Sequence, residues 1–314
     1  MRTSLFFAVT LACIPLPALA QTGGAAAQTP PASCNLNEIS SLDMSTDPDG
    51  RITIPAAVNG HPVRFLVDTG DVFATLSSSV VEELHLAQSA SPPQIMAGNV
   101  MMQTQVEVDT FQLGRQNGQG LHFVVMPSET LTLNDDGLLG GSIWNNYDIE
   151  FDFAHAKFNI FSQDHCRGEV VYWTKSDFGS IPMKMDRDWH IVVPVMLNGK
   201  SVTAVLDTGA AHSFMSLEEA KDIFGIDVTD AAMKNLGASS INGAAATQIY
   251  RYPFSTLTLQ DVTVNNPEID LMPQSAIFRH GGPQLVLGIG VLRQLHLYVA
   301  YGEQVLYVTP AETP

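Results

Sequence analysis

Two short polar loops carry the residues of this chain that could do chemistry. Asp68-Thr69-Gly70 and Asp207-Thr208-Gly209 lie 139 residues apart, and each follows an apolar run. A single copy is a common turn sequence, but two copies in matching surroundings predict that the fold brings two carboxyl groups together. Two adjacent carboxyls cannot both ionise easily, so they share one proton. Such a pair can act as general base and general acid on one bound water.

The glycine of each loop also fits this chemistry. Gly70 and Gly209 permit a positive φ and a close approach of the backbone, as a tight active-site turn requires. Backbone N–H groups can then bond the carboxylate oxygens and hold them in place.

An internal repeat surrounds the two loops and predicts the elements that position them. At a constant offset of 139, residues of the first copy match residues of the second: Ile52, Pro55, Asn59, Gly60, Val63, Asp68, Thr69, Gly70 and Ser77 match Ile191, Pro194, Asn198, Gly199, Val202, Asp207, Thr208, Gly209 and Ser216. Asn59-Gly60 and Asn198-Gly199 are strong signals for two-residue hairpin turns. In each copy, one strand should therefore turn into a second strand that ends at the loop.

A helix is predicted after each loop, over residues 79–86 and 217–224. Both segments have helical spacing of apolar residues. Acidic residues occupy the predicted first turns: Glu82, Glu83, Glu218 and Glu219.

A second pair of matching segments closes each copy. Leu138-Leu139-Gly140 precedes the alternating stretch Tyr147–Phe153, and Val286-Leu287-Gly288 precedes the alternating stretch Leu295–Val299. Alternation of this kind is typical of a β-strand.

The predicted fold class is therefore all-β, with a short helix per lobe and two pseudo-symmetric lobes. The predicted boundaries are 50–161 for the N-terminal lobe, 162–185 for the connection and 186–310 for the C-terminal lobe. A groove between two such lobes is a common place for a ligand site.

Taken together, the two loops and the two downstream segments resemble the aspartic proteases, which include the pepsin-like and retropepsin-like enzymes. The resemblance is to bacterial exported forms with two retropepsin-like lobes on one chain, and it covers roughly residues 50–310. It implies a catalytic cleft with Asp68 and Asp207 as the catalytic pair, which hydrolyse peptide bonds with an activated water. It implies no metal and no organic cofactor.

The same resemblance implies supporting roles for other residues. Thr69 and Thr208 would hydrogen-bond across the lobe interface, and the segments 138–140 and 286–288 would lie beneath the loops. Hairpins around Gly98 and Gly243 would be flaps over the substrate.

Asp71 departs from the family pattern, which usually has a small residue here, as Ala210 is in the second copy. A third carboxyl near the pair would raise the cost of ionising any of them. We expect Asp71 either to meet a substrate amide or to shift the pH optimum, the alternative being a solvent-facing side chain without a role. By resemblance, the substrate-pocket residues are Asp71, Asp136, Leu138, Gln284 and Val286. Core packing is the alternative for the two apolar ones.

The composition and net charge of the chain limit the classes of molecule that it could bind. The chain has 314 residues, 45% hydrophobic and 15% charged, with a net charge of −17. A substantial core is expected, and nucleic acid is excluded as a partner because no basic stripe could neutralise phosphates. A peptide or protein substrate is expected, and a monomer, because both lobes are on one chain.

The N-terminus has the pattern of a secretory signal over residues 1–20. Arg2 precedes a mostly apolar run, and Ala18-Leu19-Ala20 offers a small-x-small cleavage site. Processing at Cys13 as a lipoprotein is the alternative. No later apolar run is long enough to span a membrane, so the periplasm is the expected location. Residues 21–49 are interpreted as a flexible extension.

Cys34 and Cys166 remain after removal of the signal segment, and in an exported protein they indicate a disulfide. Two unpaired thiols are the alternative. A zinc site is not indicated, since no further Cys or His pattern accompanies them. The segment with Asp43, Asp47, Asp49 and Gly50 favours a turn over a calcium loop, which would need a Glu at its twelfth position.

Two other functions stay open at this level. A catalytically silent peptide-binding module would keep the cleft without turnover, although a binder has no chemical need for two costly carboxyls. A structural or assembly protein would use the two lobes as paired β-modules with a filled cleft.

Overall fold

The computed structural model describes residues 35–97, 100–127, 135–239, 246–274 and 282–312. The described part is mostly β and forms two lobes, which confirms the predicted fold class. Both lobes belong to one compact unit, Ser33–Pro314. The predicted signal segment and the proposed flap tips at Gly98 and Gly243 lie outside the described residues.

The N-terminal half comprises β1 (Glu38–Asp43), β2 (Ser45–Thr46), β3 (Ile52–Val58), β4 (His61–Val67), β5 (Thr75–Ser77), α1 (Ser78–Glu83), β6 (Gln88–Ala97), β7 (Val100–Leu113), β8 (Gln116–Met126), β9 (Gly137–Leu139), α2 (Gly141–Trp144), β10 (Asp148–Asp152) and β11 (Lys157–Phe161). Strands β2 to β9 form an eight-stranded sheet in the order β2-β3-β4-β9-β5-β8-β7-β6.

The C-terminal half comprises β12 (Gly179–Pro182), β13 (Lys184–Met185), β14 (Ile191–Leu197), β15 (Lys200–Leu206), β16 (Ser213–Ser216), α3 (Leu217–Phe224), β17 (Lys234–Ser239), β18 (Thr247–Pro253), β19 (Thr256–Leu259), β20 (Val262–Asn265), β21 (Glu268–Met272), β22 (Leu285–Leu287), α4 (Ile289–Leu292), β23 (Leu295–Ala300) and β24 (Val305–Pro310). Its ten-stranded sheet has the order β17-β18-β21-β16-β22-β15-β14-β19-β20, with β13 paired to β14.

Both predicted hairpins are present and carry the two loops. Asn59 and Gly60 have φ of 50° and 80°, and Asn198 and Gly199 have φ of 46° and 74°. A type I′ turn requires positive φ at both central residues, and Asn-Gly meets that need best. The turns connect β3 to β4 and β14 to β15, and each second strand ends just before its Asp-Thr-Gly loop.

Helix α3 occupies the predicted residues, with Glu218 and Glu219 in its first turn. The prediction for α1 was wrong in its bounds. This helix begins at Ser78, because the Ser77 hydroxyl accepts a hydrogen bond from the Val80 N–H at 3.3 Å. It ends at Glu83, and His85 has a φ of 53°. Glu82 and Glu83 therefore lie at its C-terminal end. Each lobe also has a second, four-residue helix that was not predicted, α2 and α4.

A third sheet joins the two halves, in the order β1-β11-β10-β23-β24-β12. The prediction that residues 21–49 form a flexible extension is wrong from Glu38 onward, because β1 pairs antiparallel with β11. Leu42 and Ser40 of β1 are 6% and 1% exposed, so alternate side chains are buried. The interlobe connection likewise contributes β12, which pairs with β24.

The strands that end at the loops are anchored in the core. Phe65 and Val67 of β4 are fully buried, as is Ala204 of β15, and Leu206 is 2% exposed. Phe65 also packs against Phe123 with ring centroids 5.8 Å apart. Burial of each such apolar side chain contributes about 1.5–3 kcal/mol. The loops therefore begin from rigid ends.

Candidate active site

The two Asp-Thr-Gly loops rest on the segments predicted to support them. Strand β4 pairs in parallel with β9, and the Asp68 N–H donates to the Leu139 carbonyl at 3.0 Å. Strand β15 pairs in parallel with β22, and the Asp207 N–H donates to the Leu287 carbonyl at 3.0 Å. Each aspartate backbone is thus held where its strand leaves the sheet.

Thr69 and Thr208 tie the loops of the two lobes together. The Thr69 hydroxyl donates to the Leu206 carbonyl at 2.7 Å, and the Thr208 hydroxyl donates to the Val67 carbonyl at 2.6 Å. Each threonine N–H also donates to the hydroxyl of the other threonine at 3.1 Å. Both side chains are buried. These four bonds fix the distance between the loops.

The glycines bring each loop against the carboxyl group of the other. A Cβ placed on Gly70 would lie 2.5 Å from both carboxylate oxygens of Asp207, and a Cβ on Gly209 would lie 2.6 Å from Asp68 Oδ1. Neither glycine is among the residues with positive φ. Their role in this structure is therefore close approach, and the expected positive φ was wrong.

Backbone donors hold the carboxylates. The Gly70 N–H donates to Asp68 Oδ1 at 2.9 Å. The N–H groups of Gly209 and Ala210 both donate to Asp207 Oδ1 at 2.9 Å. Donors of this kind favour the ionised carboxyl.

Burial and mutual repulsion act in the opposite direction. Burial raises the pKa of Asp68 well above its usual range, and the charges of Asp207 and Asp71 raise it further. Burial also raises the pKa of Asp207, against its two backbone hydrogen bonds. The pair therefore retains a proton at a pH where isolated carboxyls have lost theirs, and it can offer one ionised and one neutral oxygen to the same molecule.

Asp71 lies within the electrostatic reach of this pair. Its Oδ1 accepts a hydrogen bond from the Phe73 N–H at 3.1 Å, and its carbonyl accepts one from the Gly141 N–H at 2.8 Å. Burial raises the pKa of the Asp71 carboxyl, and the charge of Asp71 raises the pKa of Asp68. Three carboxyl groups thus share one region of low solvent access.

The polar pocket residues expected from the sequence bond to strand edges. Asp136 Oδ2 accepts from the Arg64 N–H at 2.7 Å. Gln284 Oε1 accepts from the N–H and the hydroxyl of Thr203 at 2.7 and 2.6 Å. Their side chains thus tie β9 and β22 to the neighbouring strands.

The apolar pocket residues belong to two small clusters apart from the main core. Leu138, 4% exposed, packs with Met102 and with the partly buried Phe73. Val286, 5% exposed, packs with Met272 and with the partly buried Phe214. A role for any of these residues in a substrate pocket stays a prediction.

The sequence did not point to His190, which belongs to the C-terminal lobe. Its Nε2 lies 3.0 Å from the Gly70 carbonyl oxygen, and its Nδ1 lies 2.8 Å from Asp186 Oδ2. The preceding Trp189 has a φ of 62°, is 38% exposed and packs against Gly141 of the other lobe. The sequence did contain a signal for this turn, because the repeat offset of 139 aligns Asp186–His190 with Asp47–Arg51.

The same turn brings together three groups of the kinds that bind metals. Asp186, Asp188 and His190 each place a ligand-type atom within 4.8 Å of the others. Both ring nitrogens of His190 are already engaged with Asp186 and Gly70, however.

Cys166 is disulfide-bonded. The other two cysteines, Cys13 and Cys34, lie outside the described residues. The pairing with Cys34 therefore stays a prediction. Among the described residues, no helix combines the length and the apolar character needed to cross a membrane.

Comparisons with known proteins agree with this geometry. A family model described as aspartyl protease matches residues 54–143 and 193–291, together more than half of the chain. The two matched regions contain the two Asp-Thr-Gly loops and the two supporting segments. A search among curated proteins found no match.

Proposed function

The chain belongs to the aspartyl protease family, and on that premise we propose that it is an aspartic endopeptidase that hydrolyses peptide bonds with a water held between Asp68 and Asp207. The observation that carries this proposal is the reciprocal contact of each loop glycine with the carboxyl of the other loop. This contact supports a joint role for two acids that lie far apart in the sequence.

In the proposed reaction, the ionised carboxyl of the pair takes a proton from the water as its oxygen attacks the peptide carbonyl carbon. The neutral carboxyl gives its proton to the carbonyl oxygen, so a tetrahedral gem-diol forms without a free oxyanion. The carboxylate that gave its proton then takes one from the gem-diol, the other carboxyl gives the proton it took from water to the amide nitrogen, and the C–N bond breaks to leave an acid and an amine. The pair ends with one proton, as it began.

A peptide library incubated between about pH 4 and 7 tests this proposal. Asp68→Asn and Asp207→Asn should each lower kcat/KM by a factor on the order of 10²–10⁴, because a neutral amide can neither accept nor deliver the proton. Asp177→Asn removes an exposed carboxyl and should leave cleavage unchanged. Pepstatin serves as an inhibitor control. Equal cleavage by wild type and both loop variants would remove the pair from the mechanism.

A silent peptide-binding module is the other outcome of this experiment. In that case labelled peptides would bind to wild type, and mass spectrometry would find them intact. Peptide binding without any cleavage product would show that the protein is a peptide-binding module and contradict the proposed endopeptidase.

We also propose that the protein is exported to the periplasm and acts as a monomer. Arg2, the apolar run after it and Ala18–Ala20 support cleavage after Ala20. N-terminal sequencing of the periplasmic protein should begin at Gln21, and size-exclusion chromatography with light scattering should give the mass of one chain. A start at Cys13 or a two-chain mass would contradict these two points.

A further inference from the structure

Two turns related by the internal repeat share a hydrogen bond from a backbone N–H to an aspartate carboxylate. In the N-terminal lobe the Arg51 N–H donates to Asp47 Oδ1 at 2.8 Å, and in the C-terminal lobe the His190 N–H donates to Asp186 Oδ1 at 3.0 Å. The side chains repeat the match, since Arg51 Nε donates to Asp47 Oδ2 at 2.7 Å and His190 Nδ1 lies 2.8 Å from Asp186 Oδ2. Arg51 and His190 are therefore equivalent positions in the two lobes.

Only His190 of these two has a described contact with an Asp-Thr-Gly loop. Its Nε2 lies 3.0 Å from the carbonyl oxygen of Gly70, which belongs to the opposite lobe. The described side-chain bonds of Arg51 go to Asp47 and Asp49. The pseudo-symmetry of the two turns is thus broken at the loop that holds Asp68.

The two partners of the His190 ring are both hydrogen-bond acceptors. A carboxylate and a carbonyl are both acceptors, and a neutral imidazole has one N–H donor and one acceptor nitrogen. A neutral ring would place an acceptor against an acceptor at one of the two contacts. Both contacts are satisfied at once when both ring nitrogens carry a proton, so that one donates to Asp186 and the other to the Gly70 carbonyl.

Among the residues that the structure describes, four titratable groups lie close to this ring or interact with it electrostatically. Asp186 and Asp188 belong to its own turn, Asp71 belongs to the loop after β4, and Asp207 belongs to the loop after β15. Burial raises the pKa of Asp71 and of Asp207, and the nearby His190 acts in the opposite direction on both. Asp71 is the carboxyl with no counterpart in the second loop, where Ala210 stands.

We propose that His190 is a positioning residue of the active site, whose imidazolium holds the Gly70 carbonyl and balances the negative charge that Asp71 adds beside the carboxyl pair. It thereby sets the pH range over which the pair shares one proton. This inference rests on the proposed function, since it concerns the regulation of the same site.

Two substitutions separate the charge of His190 from its hydrogen bond to the Gly70 carbonyl. His190→Gln keeps an N–H donor for the Gly70 carbonyl but carries no charge. His190→Arg keeps the charge, and Arg51 shows that an arginine fits this turn. Arg51→Gln is the matched control, because it removes a charge from the equivalent turn of the other lobe.

The readouts are the acid limb of the pH profile of kcat/KM and a carbon-detected NMR titration of the aspartate carboxyls. A positive charge lowers the pKa of nearby carboxyls. Its loss in His190→Gln should therefore move the midpoint of the acid limb and the midpoint of the carboxyl titration up by about one pH unit. His190→Arg and Arg51→Gln should stay within about 0.3 unit of wild type. Asp71→Asn should move the midpoints down, and Asp71→Asn with His190→Gln should return them towards wild type.

Equal midpoints in wild type and His190→Gln would overturn the proposal, and so would equal shifts in the glutamine and arginine variants. If His190→Gln fails to fold, Asp71→Asn decides, and unchanged carboxyl midpoints in that variant overturn the charge balance. The NMR titration needs no turnover. A wild type that cleaves no peptide therefore contradicts the proposed function, while the carboxyl midpoints still test His190.

Discussion

A side chain on Gly70 of the N-terminal lobe would occupy the space of the Asp207 carboxylate of the C-terminal lobe. The Cβ of an alanine at residue 70 would lie 2.5 Å from both carboxylate oxygens, well inside van der Waals contact. Gly70→Ala should therefore push the two loops apart and lower kcat by about 10²-fold, the usual effect of a displacement near 1 Å. Peptide cleavage measures the effect.

Gly60→Ala is the matched control for this prediction. Gly60 has a φ of 80°, and a Cβ there would meet nothing within 4 Å. Gly60→Ala should lower the free energy of unfolding by about 1 kcal/mol, because alanine is strained at this positive φ, and it should leave kcat unchanged. Full activity of Gly70→Ala would contradict the close approach of the two loops.

The threonine bonds between the lobes predict a large difference between two small substitutions. Thr69→Val removes the hydroxyl that donates to the Leu206 carbonyl and accepts from the Thr208 N–H. It leaves two buried groups unpaired and should lower the free energy of unfolding by about 2–5 kcal/mol. Thr69→Ser keeps the hydroxyl and should cost about 1 kcal/mol or less. Urea denaturation of both variants measures this, and equal losses would argue against the hydroxyl bonds.

The sequence predicted the parts of the site that depend on local pattern. Asn59-Gly60 and the repeated Asp-Thr-Gly residues specify a turn and a loop by their own conformational needs, so the hairpins could be found from them. The third sheet could not be found, because the pairing of β1 with β11 depends on contacts between distant segments. The alternating pattern of β10 also did not predict that Glu150 is buried, because its partner His296 comes from the distant strand β23.

Gln284 allows a test of whether a predicted pocket residue serves the sheet. Gln284→Ala removes the acceptor of two Thr203 donors and should lower the free energy of unfolding by about 1–3 kcal/mol. Because its oxygen is engaged within the lobe, the ranking of cleaved peptides should not change. Asp136→Ala, at the equivalent place in the other lobe, should behave in the same way. A changed ranking at unchanged stability would instead place these side chains in the substrate pocket.

The carboxyl pair should limit stability at neutral pH. The folded-state pKa of Asp68 is raised, first by burial and then by Asp207, above an unfolded value of about 3.9. A raised carboxyl pKa means that stability is full below the unfolded value and is lost as pH rises through the folded value. Asp68→Asn should thus stabilise the protein near pH 7 by about 0.5–2 kcal/mol, the range of single stabilising substitutions.

The stabilisation by Asp68→Asn should shrink as the pH approaches about 4, where the wild-type carboxyl is protonated as well. Thermal unfolding across this range measures the difference, with the exposed Asp177→Asn as control. Stabilisation that is independent of pH would show that the ionisation of the pair is not its cause.

A buried ion-pair cluster beside the disulfide predicts a second pH effect, on the alkaline side. His165 Nε2 lies 2.6 Å from Asp148 Oδ2 and its Nδ1 lies 3.3 Å from Glu303 Oε1, with its side chain 2% exposed. Burial by itself lowers the pKa of His165, but the bonds to Asp148 and the Cys166 carbonyl and the charge of Glu303 outweigh it and raise the pKa.

A histidine with a raised folded pKa contributes stability that is full below its unfolded value, about 6.5, and is lost as pH rises through the folded value. Wild type should therefore lose stability above about pH 6.5. His165→Gln should lack this loss and be less stable below it by about 3–5 kcal/mol, because Asp148 then has no charged partner. His155→Gln, which removes an exposed histidine paired to Asp152, is the control and should keep the wild-type pH dependence. If His165→Gln follows the wild-type curve at every pH, the cluster carries no charge-dependent stability, because the proton that His165 gains in the folded state is the physical source of the effect.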